Sequence, residues 1–138
     1  MVKKNVVKKE IKPLKLAKIV GESEAKRVRK VLIIEGHVDS AISISTILDF
    51  HGFRTFQAYN REDGLKIAKI ENPNLVILNP VINGVEHTDL IEILSDTKMI
   101  ILKMSGDGKI ASPKKNILGF LDKPVDKDEL LEMIDDRI

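Results

Sequence analysis

From Lys30 onward, short apolar runs rich in β-branched residues alternate with longer amphipathic stretches. Five of these runs predict β-strands: KVLIIE, RTFQAY, NLVIL, KMIIL and ILGFLD, at residues 30–35, 54–59, 74–78, 98–102 and 117–122. Runs such as KVLIIE and NLVIL show no polar–apolar alternation, which is typical of strands covered on both faces. Strands that alternate with helices over this length predict βαβ units with right-handed crossovers and a parallel sheet.

The stretch after the first predicted strand has the spacing of an amphipathic helix. Asp39 is expected to cap its start, and Gly52 is expected to end it. Five apolar side chains are expected to lie largely on one face of this helix, namely Ile42, Ile44, Ile47, Leu48 and Phe50.

Three further helices are predicted from their start signals. Asn60 is expected to cap a helix over residues 60–72. A short helix follows in HTDLIEILS, residues 87–95. Asp126 and Glu129 have the spacing of a capping box at the start of the last helix, DELLEMIDDRI.

The segment between the fourth and fifth predicted strands, residues 103–116, has no helical stripe. It contains Gly106, Gly108 and Pro113, which disfavour a stable helix. We therefore expect the helix at this place in the fold to be short or missing.

Composition is compatible with one domain that folds without covalent cross-links. The chain has 138 residues, of which 43% are hydrophobic, and its mean hydropathy is -0.07. The absence of cysteine excludes disulfides, thiolate metal sites and cysteine nucleophiles. No apolar run is long enough to cross a bilayer, and lysines interrupt every hydrophobic stretch of the first twenty residues. These features predict a cytoplasmic protein that does not bind a membrane.

Charge is distributed unevenly along the chain. Residues 1–30 hold eleven Lys/Arg against three Glu, a net charge of +8, whereas the remainder holds twelve Lys/Arg against eighteen Asp/Glu, a net charge of −6. We therefore divide the chain into a basic N-terminal extension, residues 1–29, and a domain over residues 30–138. The extension either contacts phosphates, anionic lipid or an acidic partner surface, or it is a solvated arm or a strand or helix that packs on its own domain. No aromatic residue is interleaved for base stacking. Its candidate contact residues are Lys3, Lys4, Lys8, Lys9, Lys12 and Lys15.

Polar residues follow several predicted strands at the point where each strand ends. In an open parallel sheet, the carboxyl ends of the strands meet at one edge, and functional sites gather there. Glu35 and Gly36 follow the first strand, Asn79 the third, Lys103 the fourth and Lys123 the fifth. We expect these residues to converge on a single pocket.

Three motifs in this order resemble the receiver domain of two-component response regulators. KVLIIEGHVD is similar to the first strand and acidic loop of a receiver, NLVILNPVINGVE to the strand and loop that carry the phosphorylated aspartate, and FLDKPVDKDEL to the lysine–proline motif before the last helix. The resemblance implies a CheY-like, flavodoxin-like α/β fold: a doubly wound, five-stranded parallel sheet with strand order 2-1-3-4-5.

The resemblance also implies that this pocket has lost its phosphorylation chemistry. Asn79 lies where receivers have the phosphoacceptor aspartate, and an amide oxygen is too weak a nucleophile to form an acyl phosphate. Receivers bind Mg²⁺ with an acidic pair after the first strand, of which this chain keeps Glu35 but has Gly36 in place of the second member. We therefore expect no bound metal, no cofactor and no phosphotransfer.

Lys103 and Phe120 occupy two further positions of the receiver pattern. Lys123 matches the lysine of the family, whereas Lys103 replaces the small hydroxyl residue that senses the phosphoryl group. Lys103 either takes the place of the absent metal and pairs with Glu35, or lies along the surface. Phe120 lies at the position of the switch aromatic, and Lys123–Pro124 resembles a junction with a cis peptide bond.

These observations predict a degenerate receiver, or pseudo-receiver, that is not an enzyme and acts through protein–protein contacts. Its expected partner is another signalling protein or an output domain, and a homodimer is also compatible with the sequence. A nucleic-acid-associated protein that uses the basic extension is the alternative. A sensor of small phosphorylated anions, bound by Lys103 and Lys123, is a third hypothesis.

Overall fold

The computed structural model describes residues 27–104, 114–135 and 137–138. Five strands form one parallel sheet: β1 Lys30–Ile34, β2 Arg54–Ala58, β3 Leu75–Leu78, β6 Lys98–Met104 and β7 Ile117–Lys123. Their spatial order is β2-β1-β3-β6-β7. Counted along the chain as five strands, this is the order 2-1-3-4-5, which confirms the predicted doubly wound topology.

A separate two-stranded hairpin and four helices complete the elements seen in the described residues. The hairpin is antiparallel and consists of β4 Val81–Ile82 and β5 Val85–Glu86. The helices are α1 Val38–Phe50, α2 Arg61–Glu71, α3 Asp89–Ile93 and α4 Lys127–Ile134. Among these residues, no helix has the length and apolar character needed to span a membrane.

Strand residues alternate between the two faces of the sheet, and each face has its own core. Ile33 and Ile77 lie on one face and pack with Leu48 of α1 and Leu130 of α4. Ile34 lies on the other face, in a cluster that includes Leu90 of α3 and partly buried residues of α2. Because both faces are covered, all four residues of β3 are fully buried, as a parallel sheet requires.

Two of the three predicted helix caps are confirmed. The side chain of Asn60 accepts a hydrogen bond from the backbone N–H of Asp63 at 2.8 Å. The side chain of Asp126 accepts one from Glu129 N–H at 2.9 Å. Each cap satisfies a backbone donor that the helix itself leaves free.

The prediction that Asp39 caps α1 is wrong. The helix begins at Val38 with His37 as its N-cap, and Asp39 lies in its first turn. The backbone N–H of His37 donates to the Glu35 carboxylate at 3.0 Å, which holds the residue that precedes the first helical residue. The helix therefore begins before Asp39, the residue that the sequence suggested as its cap.

The apolar face predicted for α1 is also partly wrong. Ile44 and Leu48 are buried, but Ile42 and Phe50 are 47% and 86% exposed. Ser45 takes an inward position instead, where its hydroxyl donates to the Ile42 carbonyl and accepts from the Gln57 amide. A single polar residue that finds partners can therefore replace an expected apolar one.

Two predictions concern residues outside the described ranges. Most of the segment expected to lack a helix lies between Met104 and Lys114, and the six lysines of the basic extension lie before residue 27. Both remain predictions of the sequence.

Gly64, in the first turn of α2, generates a prediction about packing. A Cβ atom at this residue would lie 2.8 Å from the Cδ1 atom of Ile34 in β1. Gly64→Ala is therefore expected to lower the free energy of unfolding by about 1 kcal/mol, because overpacking costs about 1–3 kcal/mol and exceeds the helix-propensity gain of about 0.5–1 kcal/mol.

Urea unfolding of four proteins measures this effect: wild type, Gly64→Ala, Ile34→Val and the double variant. Ile34→Val removes Cδ1, so Gly64→Ala should cost less in that background. An equal cost in both backgrounds would show that the Cδ1 atom of Ile34 is not the source of the strain.

Candidate functional site at the carboxyl end of the sheet

Glu35 is a buried carboxylate directly after β1, and only 1% of its surface is exposed. Its backbone N–H donates to the Ala58 carbonyl at 3.0 Å, which extends the pairing of β1 with β2 by one residue. Because successive side chains of a strand alternate, Glu35 points to the same face as Ile33. The sheet itself thus places a carboxylate where it has little access to water.

Three groups compensate the buried charge of Glu35. Lys123 Nζ, at the end of β7, lies 2.6 Å from Glu35 Oε1. Asn79 Nδ2, after β3, donates to Glu35 Oε2 at 3.2 Å, and the His37 N–H donates to the same oxygen at 3.0 Å. A buried carboxylate is tolerated when it has a cation and hydrogen-bond donors, so these contacts give a charge-balanced pocket.

Asn79 connects Glu35 to the chain that follows it. Its amide oxygen accepts a hydrogen bond from the Val81 N–H at 3.0 Å, while its NH₂ group donates to Glu35. A backbone N–H can only donate, so this contact fixes which end of the amide faces the hairpin. An ionised aspartate could not make both contacts, because it has no donor for Glu35.

The alternative in which Lys103 pairs with Glu35 is wrong. Lys103 Nζ forms its ion pair with Asp122, its register partner across β6 and β7. Lys103 lies two residues after Ile101, which packs on one face of the sheet, and Lys123 lies two residues after Leu121, which packs on the other. Strand alternation therefore directs the two lysines to opposite faces.

The β4–β5 hairpin lies beside Gly36 and was not predicted. Its two-residue turn is Asn83–Gly84, and both residues have positive φ, 52° and 79°, as a type I′ turn requires. Asn-Gly between strand-forming residues is a strong hairpin signal, and VINGVE contains it. Ile82 of this hairpin is buried, and its side chain occupies the space next to Gly36.

Comparison with known proteins decides the family. The model of the response regulator receiver domain matches residues 31–135. The chain belongs to the response regulator receiver domain family. Two curated relatives are Protein PilH of Pseudomonas aeruginosa, 25% identical over 76% of this chain and 93% of that protein, and Sporulation initiation phosphotransferase F of Bacillus subtilis, 27% identical over 76% and 90%.

Solved receiver structures have the same fold. A receiver domain protein from Clostridium thermocellum superposes with a TM-score of 0.66 at 23% identity and covers 77% of this chain and 90% of that one. A CheY-like receiver domain from Methylobacillus flagellatus gives a TM-score of 0.63 at 17% identity, with coverages of 78% and 96%. These likenesses show the fold, and the family match over residues 31–135 shows that the chain is a receiver domain of the two-component type. Receiver domains act through contacts with other signalling proteins or output domains.

The residues of this receiver do not fit the magnesium ion that the family implies. Glu35 is already paired with Lys123, and the oxygen of Asn79 already accepts from Val81. Gly36 has no side chain to offer a ligand. A hard dication needs several oxygen ligands of high negative charge, and this receiver pocket offers one neutralised carboxylate. Within residues 27–104, 114–135 and 137–138, no cluster of three His, Asp or Glu side chains has the arrangement of a metal site.

Phe120 and the Lys123–Pro124 junction were also singled out from the receiver pattern. Phe120 of β7 is partly buried and packs against the cluster that contains Ile34 and Ile101. The Lys123–Pro124 peptide bond is cis, as the resemblance implied. The assignment of Phe120 as a switch position stays a prediction, and Lys103 pairs with Asp122.

The two lysine pairs of this receiver should differ in their contribution to stability. Lys123→Met is expected to lower the free energy of unfolding by about 3–5 kcal/mol, because it leaves the buried Glu35 without its cation. Lys103→Met removes a similar ammonium group from a half-exposed pair and should cost about 0–1 kcal/mol. Urea unfolding of both variants measures the difference, and similar losses would contradict the assignment of Lys123 as the partner that stabilises Glu35.

Proposed function

We propose that this receiver domain does not accept a phosphoryl group and acts in signalling as a non-enzymatic protein-contact module. The observation that carries the proposal is the contact set of Asn79, which donates to Glu35 and accepts from Val81. The residue at the phosphoacceptor position thus has a structural role that an aspartate could not perform. The asparagine at this position is therefore matched to the contacts that surround it.

Glu35, the carboxylate that contacts Asn79, is not suited to replace the phosphoacceptor. It is buried and bonded to Lys123, Asn79 and the His37 N–H, so its oxygens are not free for attack. Asp122 lies at the end of β7, on the opposite face of the sheet, where it pairs with Lys103. Acyl phosphate formation requires an accessible carboxylate oxygen, and Glu35 does not offer one.

Apolar side chains around this end of the sheet support a role in protein contacts. Half-exposed apolar residues lie on α1, on the hairpin and at the end of β6, namely Val38, Ile42, Val81, Val85 and Met104. Burial of such side chains against a partner would be favourable, so they are compatible with a protein-contact surface. The partner that we propose is therefore another protein of a signalling pathway or an output domain.

Incubation with acetyl phosphate and Mg²⁺ tests the proposal. Intact-mass spectrometry of the wild-type chain should show no added phosphoryl group, because the strand-end position carries an amide and the pocket does not fit the metal. Asn79→Asp alone should remain far less reactive than a receiver with an intact acidic pair, since Gly36 still supplies no ligand. Robust phosphorylation of the wild type at a strand-end residue would overturn the proposal.

The basic extension supports a second candidate function, contact with nucleic acid. Its ten Lys/Arg and three Glu give residues 1–29 a net charge of +7, which contrasts with the acidic domain that follows. The hypothesis of a small-anion sensor has less support, because Lys103 and Lys123 each pair with a carboxylate on opposite faces of the sheet.

The nucleic-acid function predicts a steep dependence of duplex DNA affinity on salt. If Lys3, Lys4, Lys8, Lys9, Lys12 and Lys15 each contact a phosphate, the slope of log K against log salt should reach about −5. Changing these lysines to glutamine should remove the binding, whereas changing them to arginine should keep it. Deletion of residues 1–26 is a further control that retains Arg29 over the Phe53 ring. An affinity that does not depend on salt would exclude this function.

A further inference from the structure

The β4–β5 hairpin is attached to the pocket at its base. The Val81 N–H donates to the Asn79 side chain at 3.0 Å, and the His87 N–H donates to the Pro80 carbonyl at 2.6 Å. These bonds tie both strands of the hairpin to residues that directly follow β3. The hairpin is thus held at the carboxyl end of the sheet by the same amide that contacts Glu35.

Its buried residue, Ile82, fills the space beside Gly36. Ile82 is only 3% exposed, although its cross-strand partner Val85 is 56% exposed. A Cβ atom at Gly36 would lie 3.0 Å from Ile82 Cγ2 and 3.5 Å from both the backbone N and the side-chain oxygen of Asn83. The first of these contacts is closer than a carbon–carbon van der Waals contact of about 3.5–4.0 Å. Any side chain at position 36 begins with this Cβ atom, so Ile82 would have to shift to admit it.

We propose that the hairpin is a fixed cover on the pocket, in which the Ile82 side chain excludes an acidic residue at position 36 and with it a divalent cation. The inference rests on the proposed function, in which the domain does not accept a phosphoryl group. It adds a steric reason for the absence of a metal site to the electrostatic one, which is the missing carboxylates. Asn79 holds the base of the cover, and Ile82 fills the pocket below it. Restoring acidic residues alone is therefore insufficient to restore a metal site.

Two engineered receivers test the cover directly. The double variant Gly36→Asp, Asn79→Asp restores both carboxylates, and the triple variant adds Ile82→Ala. Aspartate at position 79 keeps an oxygen for the Val81 N–H, so the base of the hairpin is preserved. Isothermal titration with Mg²⁺ should give an affinity at least about tenfold higher for the triple variant than for the double variant, because only the triple variant has room for the new side chain.

Val81→Ala in the double-variant background is the matched control. It removes an exposed apolar side chain from the same hairpin, on the face opposite to Ile82, and leaves the Val81 N–H in place, so its Mg²⁺ affinity should equal that of the double variant. Equal affinities of the double and triple variants would overturn the cover. An increase with Val81→Ala as large as that with Ile82→Ala would overturn it as well, since general loosening of the hairpin would then explain the result.

A test without metal covers the case in which the acidic variants do not fold. Gly36→Ala, Ile82→Ala and their combination form a double-mutant cycle measured by urea unfolding. Gly36→Ala should lower the folding equilibrium constant at least about threefold more in the wild-type background than in the Ile82→Ala background. Additive effects would contradict the contact between residue 36 and Ile82.

The outcomes separate this inference from the proposed function. Phosphorylation of the wild-type chain would refute the proposed function. Strong Mg²⁺ binding by the double variant would refute only the cover, because the wild type would still lack both carboxylates.

Discussion

The pocket of this receiver is organised by the need to compensate one buried carboxylate. Glu35 is placed by the pairing of β1 and β2, where almost none of its surface reaches water. The effective penalty for burying an ion in a protein is several kcal/mol unless charge and hydrogen bonds replace its hydration. Lys123 supplies the charge, and Asn79 and the His37 N–H supply the hydrogen bonds. The other features of the pocket are consequences of this set of contacts.

The residue types at positions 79 and 36 are compatible with the charge balance between Glu35 and Lys123. With Lys123 as the cation that contacts Glu35, a second carboxylate at position 79 would add a negative charge beside the first and remove a hydrogen-bond donor. A third at position 36 would add more negative charge and meet Ile82. An amide and a glycine avoid both costs. The absence of carboxylates at positions 36 and 79 is therefore consistent with both the Glu35–Lys123 pair and the position of Ile82.

Most of the fold could be predicted from the sequence, because it depends on local patterns. Short strand-forming runs indicated the five strands, and Asn60 and Asp126 indicated two helix starts through their own side chains. The strand-end rule brought Glu35, Asn79 and Lys123 together, because parallel strands end at one edge.

The errors in the prediction arose where side-chain direction or distant contacts decide the outcome. The receiver pattern suggested Lys103 as a partner of Glu35, but the parity of Lys103 relative to Ile101 directs it to the other face of the sheet, toward Asp122. The hairpin could have been predicted from its Asn83–Gly84 turn. The close approach of Ile82 to Gly36 could not be predicted from the sequence, since these residues are brought together only by the folded sheet.

If the domain binds neither a metal ion nor a phosphoryl group, as we propose, these ligands cannot switch the pocket between two conformations. A switch needs a ligand that binds two conformations with different affinities, and a shift from 1:99 to 99:1 requires a difference of about 5.5 kcal/mol. Here the cation is Lys123, which is covalently part of the chain and does not vary in concentration. The Glu35–Lys123 pair therefore favours one arrangement under all conditions in which both groups are charged. Any regulation of this receiver must then enter through its surface, where a partner can bind one conformation better than another.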